Sequence, residues 1–273
     1  MNIKQIILTS LIAASTFGLT SCDKLLDKLI QTAIDGAVNH EYQDSEEWGK
    51  VVTRTTGIGE IRKADITGAV RLVYTQDSIA RVQVRGNEKA IDAYSIEEDG
   101  GELVVSLNDF NGKINDDTPC ITVMMSSPAI TKLDASGACE FVCTDSVSQS
   151  MPLYITLSGA GKVILGYFQA TSLDMRLSGA GKVHMTEVDC SGDVKLNISG
   201  AADVLGRLKS RYFRLNISGA GNAELDVDCQ KLRGNCSGAA TMTLSGKCQH
   251  VDLHDSGACK INTDSLLIMN DVR

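Results

Sequence analysis

The stretch Leu173-Asp174-Met175-Arg176-Leu177-Ser178-Gly179-Ala180-Gly181-Lys182-Val183 alternates apolar and polar side chains, breaks at four small residues, and resumes on an apolar one. A period of two belongs to a strand with one face buried and the other in water. The tripeptide at its centre is repeated. Ser-Gly-Ala begins at Ser136, Ser158, Ser178, Ser199, Ser218, Ser237 and Ser256, at spacings of 22, 20, 21, 19, 19 and 19 residues. Five residues before these serines stand Thr131, Leu153, Leu173, Val194, Phe213, Leu232 and Val251. Three before stand Leu133, Ile155, Met175, Leu196, Leu215, Gly234 and Leu253. One before stand Ala135, Leu157, Leu177, Ile198, Ile217, Cys236 and Asp255. A further apolar row follows the tripeptide at Phe141, Val163, Val183, Val204, Ala223, Met242 and Ile261.

A unit of about 20 residues is too short for two hairpins, but it fits one winding of a coil whose neighbours stack in parallel about 4.8 Å apart. The expectation is an all-β chain, a right-handed parallel β-helix or solenoid, with handedness taken from the general preference of parallel crossovers. Seven windings make a rod about 35 Å long. At a stacked corner the backbone turns sharply and only small side chains fit, which accounts for Ser-Gly-Ala followed by Cys139, Gly161, Gly181, Ala202, Gly221, Ala240 or Cys259. The seven serines are read as a structural hydroxyl ladder, because a catalytic nucleophile is needed once and not seven times. Regular repeats cover residues 131–273. Residues 50–130 carry the same alternation with a looser period, as in Ile66-Thr67-Gly68-Ala69-Val70, and either extend the rod or cap it.

The polar positions between the inward rows are the candidate surface. Asn197, Asn216 and Asn235 recur at 19 residues on the outward face, with Arg176, Arg214 and Arg233 nearby. Stacked amides hydrogen-bond along such a rod, and the same strip offers a flat polar surface to a glycan or a protein ligand.

The amino-terminal region is of another kind. Lys4 precedes an apolar run from Ile6 to Leu19 that ends in Leu19-Thr20-Ser21-Cys22. The run is too short to span a bilayer of about 30 Å and reads as an export signal over residues 1–21. Its end is similar to the lipobox of bacterial lipoproteins, which implies lipidation of Cys22, membrane attachment through it, and a place in the cell envelope, expected at the outer membrane of a Gram-negative bacterium. Within residues 22–49, Leu25, Leu26, Leu29, Ile30, Ala33, Ile34, Ala37 and Val38 predict a short amphipathic helix, followed by an acidic linker from Glu41 to Glu47.

Hydrophobic residues at 43% with charged residues at 22% exclude a disordered chain, and a formal charge of −8 disfavours a polyanionic partner such as nucleic acid, so none is expected. Gly-Ala-Gly-Lys at 159–162 and 179–182 lacks both the earlier glycine and the following Ser or Thr of a phosphate loop, and Gly57-Ile58-Gly59 reads as a turn. Cys248, His250 and His254 lie on one extended segment too spread for a metal, so neither metal nor cofactor is expected. Apart from Cys22 there are eight cysteines. Cys229 and Cys248 each follow their serine by eleven residues, so stacking places them on adjacent windings at a distance a disulfide can bridge. Asp77-Ser78-Ile79, Asp145-Ser146-Val147 and Asp264-Ser265-Leu266 resemble an O-glycosylation acceptor of some Gram-negative bacteria.

The chain also resembles the head GIN domain family of auto-transporter adhesins over residues 50–273. The likeness rests on Ile66-Thr67-Gly68-Ala69-Val70, on Asp99-Gly100-Gly101-Glu102-Leu103-Val104-Val105, and on Ser-Gly-Ala-Gly at 158–161, 178–181 and 218–221. The resemblance implies a β-helical fold and carries no catalytic residues. The reading is a non-catalytic, adhesin-like binding or structural module. Its rivals are a carbohydrate-active β-helix enzyme, a polysaccharide lyase or hydrolase, and an architectural partner of another envelope protein. The last strand, Leu266 to Met269, is exposed at the end of the rod and is a surface for an end-to-end dimer.

Overall fold

The computed structural model describes residues 42, 44, 46–56, 59–109 and 120–269, all within one compact unit, Tyr42–Arg273. The export signal, Cys22, the amphipathic helix and Gly57-Ile58 lie outside the described residues. Twelve strands follow one another: β1 (Val51–Thr56), β2 (Lys63–Gln76), β3 (Arg81–Asn87), β4 (Tyr94–Asp99), β5 (Glu102–Leu107), β6 (Cys120–Ser127), β7 (Lys132–Cys143), β8 (Val147–Ser148), β9 (Leu153–Ala170), β10 (Leu173–Cys190), β11 (Asp193–Gly257) and β12 (Lys260–Ile268). Among the described residues one short helix, α1 (Glu88–Asp92), links β3 to β4 and buries Ala90 and Ile91. The fold is all-β, and the strands form one sheet that does not close on itself.

The repeated sequence sets the register. β7, β9, β10 and the start of β11 run parallel, with Ser136 opposite Ser158, Ser158 opposite Ser178, and Ser178 opposite Ser199. β11 is an unbroken extended run of 65 residues that folds back on itself. Its Asn216 amide donates to Asn197 Oδ1 at 2.8 Å, and its Asn235 amide donates to Asn216 Oδ1 at 2.8 Å, each across 19 residues of chain. The corner glycine is the residue that permits this. Gly179 has φ +113°, and a Cβ there would collide with the carbonyl oxygen of Gly159 on the neighbouring rung.

The inward rows form the core. From Leu153 to Cys236, every residue one, three or five places before a repeated serine is buried, Gly234 included, and so is every member of the following row from Phe141 to Met242. The last repeat breaks the pattern, because Val251 and Leu253 are only half-buried and Asp255 is exposed. Burial at about 25 cal/mol per Å² of apolar surface is the main stabilising term, and it declines toward this end.

The other end is closed by different means. β2 lies in parallel register with β7, so that Thr67 is opposite Ser136 and Gly68 opposite Gly137, and the Thr67 and Ser136 hydroxyls lie 3.0 Å apart. Thr67-Gly68-Ala69 is therefore an eighth member of the repeat, carrying threonine where the others carry serine. β5 and β6 flank β2 in parallel, whereas β4 pairs with β5, β3 with β6 and β1 with β3 in antiparallel fashion. The parallel stack thus stops in antiparallel strands. Tyr94 completes the stop: its ring covers Gly68, its hydroxyl accepts from the Ala69 amide at 2.9 Å, and it donates to the Ala69 carbonyl at 3.2 Å. Tyr42 enters at the same end, with its hydroxyl 2.8 Å from Thr122 Oγ1 on β6.

Candidate functional site

The serine corner and the asparagine row meet in a trough of about 410 Å3 that crosses five rungs. Beneath it run Leu157, Leu177, Ile198 and Ile217, the last inward residues before the turn, whose side chains are buried in the core. One wall is the hydroxyl file Ser158, Ser178, Ser199, Ser218 and Ser237. The other is Thr156, Arg176, Asn197, Asn216 and Asn235. The geometry follows from strand alternation: the outward residues at two places before the turn and at the turn itself stand up on either side of the residue between them.

The amides of the second wall are committed to one another, so the ladder is rigid and each rung keeps a polar edge toward solvent. Beside it, two residues further back, stand Tyr154, Asp174, Lys195, Arg214, Arg233 and Asp252, of which Tyr154 is half-exposed. Arg176 Nε lies 3.4 Å from Asp174, and Arg233 Nε lies 3.0 Å from Asp252. Arg176, Lys195, Arg214 and Arg233 outnumber these two carboxylates, so the flank of the trough is cationic on a chain whose net charge is −8. Of the strip residues singled out in the sequence, Arg176, Asn197, Asn216 and Asn235 line the trough, and Arg214 and Arg233 stand outside it on the flank. Sequence reading missed the wall role of the serines and of Thr156; Thr156 occupies the same row as Arg176 and Asn197 and is found by extending that row.

The opposite side of the corner carries a different polar network. Glu140 accepts from Arg71 Nε at 2.7 Å and from Lys162 Nζ at 2.9 Å. Burial pushes its carboxyl up, but the Lys162 hydrogen bond and the Arg71 charge outweigh it and hold the group below the usual carboxylate range. The strands carrying Gly159–Lys162 and Gly179–Lys182 lie in register with each other and form no phosphate loop.

The structure joins Cys236 to Cys259 and holds Cys229 and Cys248 as buried thiols with sulfurs 3.4 Å apart. The bonded pair runs diagonally, from the residue before one corner to the residue three places after the next serine. Those two positions face each other inside the corner, as Leu157 faces Gly161. Comparing like positions of successive repeats finds Cys229 with Cys248 and overlooks the diagonal. Cys248 is buried while His250 and His254 are exposed, and His254 pairs with Asp252 at 3.0 Å. Ser78, Ser146 and Ser265 are all exposed. Among the described residues no helix is long and apolar enough to cross a membrane.

No curated protein sequence matches the chain. Solved structures do. The crystal structure of a putative adhesin from Bacteroides fragilis superposes with TM-score 0.59 at 16% identity, covering 81% of this chain and 99% of that one. That of a putative lipid binding protein from Parabacteroides distasonis gives 0.62 at 17% identity, covering 81% and 99%. A second from Parabacteroides distasonis, a putative adhesin, gives 0.52 at 16%, covering 81% and 100%. These likenesses establish a shared fold. The sequence profile of the family described as "Putative auto-transporter adhesin, head GIN domain" matches residues 62–186 and 184–272, and the chain belongs to that family.

Proposed function

We propose that the protein is a non-catalytic binding module of the bacterial cell envelope, a right-handed parallel β-solenoid whose trough receives an extended glycan chain. The observation that carries this reading is the convergence of the asparagine ladder and the serine file on one trough. Pyranose rings have apolar faces and hydroxylated edges. The walls of hydroxyl and amide suit the edges, and the aliphatic stems of Thr156 and Arg176 suit the faces. Five rungs at about 4.8 Å give a run of roughly 19 Å, long enough for several sugar units. The cationic flank favours an acidic polysaccharide over a neutral one. Lipid attachment at Cys22 belongs to the same reading.

A glycan array run beside a turnover assay on the same purified protein tests the reading. Retention of acidic glycans, weakened about tenfold by Asn216→Ala with Arg176→Ala and unaccompanied by product, supports it. Release of oligosaccharide product transfers the assignment to the carbohydrate-active enzymes. A second ligand class is suggested by the likeness to the putative lipid binding protein of Parabacteroides distasonis. Displacement of a fluorescent long-chain fatty acid from the trough, with no glycan retained, selects that alternative. Radiolabelled palmitate incorporation that persists in Cys22→Ala removes the lipid anchor.

A further inference from the structure

We propose that Cys229 and Cys248 are a second disulfide site, and that together with Cys236–Cys259 they tie the last three windings into a covalent ladder at the end of the stack that, among the described residues, no antiparallel strand closes. The two thiols are poised for it. Cys229 and Cys248 are 5% and 0% exposed, and their sulfurs are 3.4 Å apart. The Cys229 thiol donates to Cys248 Sγ, and the Cys248 thiol donates in turn to the carbonyl of His250 at 3.1 Å. Stacked positions on neighbouring rungs have Cα atoms about 4.8 Å apart, inside the range a disulfide spans without backbone movement. Rotation about the side chains is all that closure requires.

The location gives the bond a purpose. At the other end, β1, β3, β4 and Tyr94 seal the stack. At this end Leu267, Ile268 and Met269 are 70%, 51% and 46% exposed, and the core row is broken at Asp255. A stack held only by nearest neighbours frays from an unsealed terminus. Cys236–Cys259 holds the winding of Ser256 to that of Ser237, and Cys229–Cys248 holds the winding of Ser237 to that of Ser218.

The route of oxidation also follows from placement. Ile268 of the outermost strand is the register partner of Cys248, and the Met269 amide donates to the Cys248 carbonyl at 2.8 Å. Fraying of β12 therefore uncovers Cys248 before Cys229. The Cys248 thiolate attacks an external disulfide, forms a mixed disulfide and expels one thiolate. The Cys229 thiolate then attacks Cys248 Sγ and expels the second. Two protein thiols are oxidised, one external disulfide is reduced to two thiols, and the two protons pass to the departing thiolates.

The test is disulfide mapping of the full chain, exported or equilibrated with excess oxidised glutathione, then denatured and alkylated with iodoacetamide without reductant. Peptides holding Cys229 and Cys248 are expected as one species, two hydrogens lighter than their sum and separated only by reduction. The proposal is overturned by alkylation of both residues while Cys236–Cys259 stays intact, by a persistent glutathione adduct on Cys248, or by linkage of either residue to Cys190. In a Cys236→Ala/Cys259→Ala background, oxidation is expected to raise the thermal midpoint by roughly 5–10 °C, and Cys229→Ala is expected to abolish that shift. A shift that survives Cys229→Ala also overturns the proposal, and where the background variant does not fold, the mapping decides alone.

Discussion

The Tyr94 hydroxyl stands 2.9 Å from the backbone nitrogen of Ala69 and 3.2 Å from its carbonyl oxygen, closing both bonds that a further parallel rung would otherwise supply. One side chain substitutes for a strand. Burial keeps this phenol well above its ordinary titration range, so it remains a donor at every pH the protein meets. Tyr94→Phe leaves a buried amide and carbonyl unpaired, and the expected loss is about 1–3 kcal/mol of unfolding free energy. Denaturant titration measures the loss, and hydrogen exchange locates it at Ala69 and its neighbours. Uniformly unchanged exchange there would contradict the capping role.

The corner makes a paired prediction. Gly179 needs φ +113° and has no room for a Cβ, whereas Gly181 has no positive φ and would place a Cβ 3.2 Å from the Gly161 carbonyl. Alanine already stands at the position of Gly181 in other windings, at Ala202 and Ala240. Gly179→Ala is expected to cost roughly 3 kcal/mol or to prevent folding, and Gly181→Ala about 1 kcal/mol or less. Circular dichroism melts of the two variants side by side check the contrast, and equal melts would refute it.

Asn216 is the middle of the amide ladder. Asn216→Ala removes two side-chain bonds of 2.8 Å and frees the Asn197 carbonyl and the Asn235 amide. Both freed groups reach water, so the expected loss is only about 1 kcal/mol. Asn197→Ala alone breaks one bond and should cost about half as much. A loss for Asn216→Ala no greater than that for Asn197→Ala would show that the ladder does not act as a chain.

Glu140 supplies the pH dependence. Its folded carboxyl sits below the ordinary glutamate range, so the unfolded chain binds this proton more tightly than the folded one. The stability it contributes is complete above the unfolded value of about 4.3 and is lost as pH falls through the depressed folded value. Glu140→Gln removes that dependence and costs about 2 kcal/mol at neutral pH, since the Arg71 and Glu140 side chains are only 14% and 18% exposed. Urea midpoints for both proteins across pH 3 to 7 should converge at the acid end.

How much of this was legible in the sequence follows from what repeats. The buried rows, the serine file and the asparagine ladder could be read because equivalent side chains lie over one another at a near-constant spacing. Thr67 escaped this reading because 69 residues of chain separate it from Ser136, and only the folded register brings the two together. The Cys236–Cys259 bond escaped for a related reason, since it joins unlike positions of adjacent windings. Tyr94 could not be identified as a cap, because a cap occurs once and a single tyrosine in an alternating segment carries no periodic signal. The trough required the knowledge that outward residues two places apart flank the inward one between them.

The register of β9 on β10 has a consequence for how such a chain changes over generations. β7 pairs with β9, β9 with β10 and β10 with the start of β11 at like positions of the repeat, so a stretch such as residues 199–217 is equivalent to its neighbours in outline. Duplicating or deleting it adds or removes a whole step between β10 and β12 and leaves the pairing of β1 to β6 undisturbed. Size in this protein changes by whole steps, because the repeats share the Ser-Gly-Ala corner and the alternating rows while the residues between them differ.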